Sequence, residues 1–114
     1  MSVLLEREGA RLEVCQERIL KVDGEADFDS AASLAAKGTE WLQGLPHAAE
    51  VEFDLTGVQR ASSAVLSVLL EWLRTAQACE VRIVQVTLSQ PLARLTAMAG
   101  LDPLLPTAET SVSA

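Results

Sequence analysis

VEFDLTGVQRASSAVLSVLLEWL, residues 51–73, changes its apolar period partway along, and that change decides the fold. Val51, Phe53 and Leu55 alternate with Glu52, Asp54 and Thr56, the period of a strand with one buried face. Gly57 predicts a turn. After Ser62 and Ser63 the spacing becomes helical, so a strand delivers two hydroxyls to the start of a helix. Backbone N–H groups are unpaired there and the helix dipole favours negative charge. Such a place suits a cap, an anion or a phosphoserine.

Around this unit the chain reads as alternating elements. Leu12 and Val14 predict a first strand near 10–16, and Arg18 to Val22 a second, the two forming a hairpin. Asp27 to Ser30 supply capping side chains for a helix from Phe28 to Gln43. That helix is rich in small residues, and Phe28, Ala31, Ala32, Ala35 and Leu42 share one expected packing face, with Leu34 and Trp41 on a second stripe. Gly44 and Pro46 end it. Val81 to Val86 forms a further strand. Ser89 caps a third helix with Pro91 in its first turn, Leu92, Leu95, Met98 and Ala99 on its buried side, and Gly100 at its close. Leu101 to Pro106 is expected to pack back as a short strand or turn. The order is that of one α/β domain with a mixed sheet.

The helix after Ser63 carries more apolar surface than a sheet needs. Val65, Leu69, Trp72, Leu73 and Ala76 cluster, with Val68 on one side and Leu66 and Leu70 on the other. The arc spans roughly 200°, against the ~100° or somewhat more that covers a sheet. Neighbouring helices cover the excess, or it meets another protein.

Composition narrows the function. The 114 residues are 49% hydrophobic and 22% charged, which suits one folded domain. A net charge of −7 and a pI near 4.6 argue against nucleic acid and anionic membrane surfaces. Cys15, Cys79 and His47 share no metal-ligand spacing. No run is apolar enough for a membrane span or signal peptide, so a cytoplasmic protein without direct membrane insertion is expected. The six glycines form no phosphate loop or dinucleotide fingerprint, and Ser62 and Ser63 have no neighbouring His or Lys to activate them. Asp54 either lies near the serines or is a solvated, turn-capping residue. No catalytic, cofactor or metal site is expected.

The pattern from Val51 to Leu70 resembles the signature of STAS domains, the family of anti-sigma-factor antagonists and transporter-associated modules. Val22-Asp23-Gly24-Glu25-Ala26-Asp27 resembles the family's Gly-Glu-Leu-Asp turn, and the Ser-Gln-Pro helix start fits the order. The resemblance covers residues 9–106, with 1–8 and 107–114 as loose termini. It implies a single STAS-like α/β domain, with about four to five strands in a mixed sheet and three main helices. It also implies a non-enzymatic interaction module, most like the cytoplasmic, MlaB-type subunit of the Mla phospholipid-transport ABC system. That reading makes the partner an ABC transporter ATPase subunit, in a hetero-oligomer peripheral to the inner membrane that serves outer-membrane lipid asymmetry. Ser62, Ser63, Leu66 and Leu70 would form the partner-binding surface, Ser62 standing where the Mla-type protein has a functionally important Thr. The alternative is an anti-sigma-factor antagonist binding an anti-sigma kinase, with Ser63 at the phosphorylated position. Ala61 and Ala64 replace the family's Asp and Gly on either side of the pair, which counts against such a switch.

Overall fold

The computed structural model describes residues 2–7, 9–24, 28–60, 62–100 and 110–112. Its strands are β1 (Ser2–Arg7), β2 (Ala10–Cys15), β3 (Ile19–Gly24), β4 (Glu50–Val58), β5 (Arg82–Leu88) and β6 (Thr110–Val112). The helices are α1 (Phe28–Gln43), α2 (Ser63–Ala78) and α3 (Gln90–Met98). The strands form one sheet in chain order. β1, β2 and β3 meander antiparallel, and β3 through β6 run parallel. Parallel neighbours need crossovers, which α1, α2 and α3 supply.

One face of the sheet carries the core. Leu12, Leu20, Phe53, Leu55, Val86 and Leu88 alternate inward and join Leu34 and Leu42 of α1, Leu69 and Trp72 of α2, and Leu92 of α3 in a single cluster. All three helices therefore cover the same face. The large rings meet at its centre, Phe53 and Trp72 lying 5.7 Å apart at 54°. The opposite face is polar, with Lys21, Asp54, Thr87 and Ser111 abreast on successive strands.

The mixed sheet and three helices agree with the sequence reading, but the sheet has six strands, not four to five. Both additional strands occupy stretches expected as loose termini. In β1 the register shifts between Val3 and Leu5, which interrupts the alternation that marks a strand. β6 is three residues, Thr-Ser-Val, held by backbone pairing to β5 and by Gln85 Nε2 donating to Ser111 Oγ at 2.8 Å. Neither has a sequence period long enough to read.

Three smaller expectations need correction. β4 does not turn at Gly57 but continues to Val58, paired there with β3; the glycine is needed because a side chain would overlap Asp23 of β3. The buried stripe of α1 is Ser30, Leu34, Gly38 and Leu42, four residues apart on one helix face, and Ala32 lies off it and is exposed. α3 buries Leu92 and Thr96, while Met98 is 85% exposed, since only one face of a nine-residue helix reaches the core. The expected elements at Asp27, at Ala61 and across Leu101 to Pro106, and the side chain of Phe28, lie outside the described residues.

Candidate functional site

β4 and α2 bring the two serines to the end of the sheet where the parallel strands finish. Ser62 is the N-cap, with extended backbone (φ −137°, ψ 162°). Its Oγ accepts a hydrogen bond from the Val65 N–H at 3.3 Å, and its carbonyl accepts from the Leu66 N–H at 3.1 Å. The side chain that looked available for chemistry is thus engaged in starting the helix, as a serine at this position ordinarily is. Ser63 opens the first turn and is exposed, and its carbonyl accepts from the Ser67 hydroxyl at 3.0 Å. The first turn of α2 holds no acidic residue, so the partial positive charge of its N-terminus is not offset there.

Asp54 stands apart from this start. It alternates with Phe53 and Leu55, which face the core and the helices, so it lies on the polar side of the sheet. Its Oδ1 accepts from the Thr56 N–H at 3.0 Å and from the Thr56 hydroxyl at 2.6 Å. Of its two readings, the local one is realised.

Leu66 and Leu70 share the flank of α2 turned away from α1. Leu66 is 4% exposed and Leu70 half-buried. Leu66 thus offers little surface of its own. Leu70 and Ser63 retain accessible area.

On the flank facing α1 lies an opening the sequence reading did not anticipate. Ala31, Ala35 and Thr39 of α1 face Ala64, Val68 and Glu71 of α2 across an open groove of about 610 Å³, with apolar walls. Ser67 stands at its rim, one turn from Ser63. On the core side of the same seam the helices are in contact. There the Trp72 ring lies over Gly38, and its Nε1–H donates to the Ala35 carbonyl at 3.3 Å. The only sequence signal for the opening was the pairing of small residues on both helices, which reads equally well as close packing.

Among the described residues no group of His, Cys, Asp and Glu is placed to hold a metal ion, and no helix is long and apolar enough to cross a membrane. His47 pairs with Glu80 at the far end of the sheet, and Cys15 and Cys79 are free thiols.

Comparison with known proteins places this geometry. A family model described as "Mlab, STAS domain" matches residues 11–106. Among solved structures the chain is similar to the anti-sigma factor antagonist SpoIIAA in its unphosphorylated form, with a TM-score of 0.66 and 17% identity over 92% of this chain and 88% of that one. At that identity the likeness is one of fold. No curated protein matches the chain.

Proposed function

The chain belongs to the STAS family in its Mlab branch, and from that premise we propose that it is a non-enzymatic docking module for the ATPase subunit of an Mla-type ABC transporter. In this reading it supports movement of phospholipid that maintains outer-membrane lipid asymmetry. It sits in the cytoplasm, held near the inner membrane by its partner. The observation that carries the reading is the open α1–α2 groove, whose wall residue Ser67 lies one turn from the exposed Ser63. An apolar side chain of the partner enters the groove, where alanines allow close approach. Ser63 and Ser67 meet polar groups at the rim, and the uncompensated N-terminus of α2 favours a carboxylate from the partner. Ser62 acts from behind by holding the helix start. Leu70 lies at the edge of the contact.

A second reading is favoured by the exposure of Ser63 and by the fold shared with an anti-sigma factor antagonist. Phosphate on Ser63 would then release an anti-sigma kinase. Binding of purified ATPase subunit to the wild-type chain and to Ser63→Ala, Ser62→Asp and Ser63→Asp separates the two. The docking reading expects Ser63→Ala to bind nearly as well as wild type. Ser63→Asp should weaken binding while the fold is retained, because it places a desolvated negative charge in the contact. Ser62→Asp, at the cap behind it, should weaken binding less, by offsetting the N-terminal charge that draws the partner's carboxylate. Phosphate on Ser63 in the native host, together with phosphate-dependent release of an anti-sigma kinase, would replace the first reading by the second.

A further inference from the structure

β1 ends the sheet, and among the described residues nothing pairs with its outer edge. The two edges of the sheet are unequal: β6 presents three residues, β1 six. β1 carries its bulge between Val3 and Leu5, and the open N–H and C=O groups to either side of it are a template for another strand. Beside it, α1 packs over β1 and β2. Between β1 and the second half of α1 runs a groove of about 470 Å³ lined by Val3, Leu4, Lys37, Glu40, Trp41 and Leu45. Val3 is 46% exposed, and Trp41 only partly buried. This is the opposite side of α1 from Ala31 and Ala35.

We propose that this edge is a self-association surface, in which two copies of the chain pair β1 against β1 about a two-fold axis normal to the sheet. Such an axis makes the two edge strands antiparallel and continues the sheet, keeping both helix layers on one face. It also sets each α1 antiparallel beside its mate, so that Trp41 and Leu45 close an apolar seam. The charges on the rim select a second copy over an unrelated peptide. Lys37 and Glu40 are exposed and three residues apart on one helix face. A two-fold axis inverts their order, so each Lys37 meets the other copy's Glu40, and the same rim satisfies itself twice. The α1–α2 groove remains open in the pair, which would present two partner sites. The inference does not depend on which partner occupies them.

Sedimentation velocity of the purified full chain, from micromolar to millimolar, tests the pairing. A reversible dimer is expected. Lys37→Glu and Glu40→Lys should each raise the dimer dissociation constant about tenfold, since two exposed contacts turn repulsive at once. Both residues are exposed, and circular dichroism should show unchanged folding. Mixing the two variants should restore the wild-type dissociation constant as a heterodimer, because one copy now offers two anions and the other two cations. A wild-type chain that stays monomeric at millimolar concentration overturns the proposal. So do single variants that dimerise like wild type, or a mixture that fails to recover.

Discussion

The two flanks of α2 differ in a way that inverts the intuitive search for an interface. On one flank are Leu66 and Leu70, large apolar residues that the sequence marks as excess and therefore as candidates for a partner. The fold closes over the first of them to 4% exposure. On the other flank are Ala64, Ser67 and Val68, small or modest side chains that the sequence does not single out as a partner site. Facing alanines on α1, they leave a groove of about 610 Å³. Large side chains fill the space available to them and so remove themselves from the surface. Small ones opposed by small ones cannot fill it. On the core side of the same seam the rule is completed, since Gly38 is small but opposed by Trp72, and there the helices close.

The comparison breaks first at Leu66. If that flank is interior, Leu66→Asp should cost about 3 kcal/mol or more, because a carboxylate without a partner enters an apolar site. A urea melt that showed near-wild-type stability would return Leu66 to the surface. Gly38→Ala comes next. Its added carbon would overlap the Trp72 ring and force the closed, core side of the seam apart, at about 2 kcal/mol. Indole fluorescence should report the displaced ring along with the lowered melting point.

Ser62→Ala removes the cap and should cost about 1 kcal/mol, whereas Ser62→Asp should keep most of that stability by accepting the same Val65 N–H. Equal losses in both variants would mean that the hydroxyl has a role beyond capping. The smallest effect on stability belongs to the open flank. Ala32→Leu lies in the groove at an exposed helical position and should change stability by less than about 0.5 kcal/mol. It should nevertheless weaken binding of the ATPase subunit strongly by occupying the groove. A variant that is both stable and fully competent to bind would move the partner away from this flank.

Local chemistry made much of the molecule legible before its structure. The strand at Val51, the capped helices at Ser62 and Ser89, and the short connections all rest on interactions within a few residues, and these occur in the structure within a few positions of their expected bounds. The STAS resemblance rests on those same local signals in a particular order. Strands β1 and β6 were illegible for the complementary reason. Each is defined by backbone pairing with a neighbour, one through a bulge and the other over three residues.

The sequence by itself determined the α/β class, the element order, the caps, the polar character of one sheet face and the lack of any phosphate loop or metal-ligand spacing. These follow from residue periods and side-chain chemistry, which act over one or two turns. Only the tertiary structure decided which apolar residues are inside, that Asp54 bonds Thr56 within its own strand on the polar face of the sheet, and that a groove opens one turn from Ser63. Those outcomes depend on which surfaces oppose each other across the α1–α2 seam. A single sequence specifies the sizes of the side chains but not, position by position, what each will face.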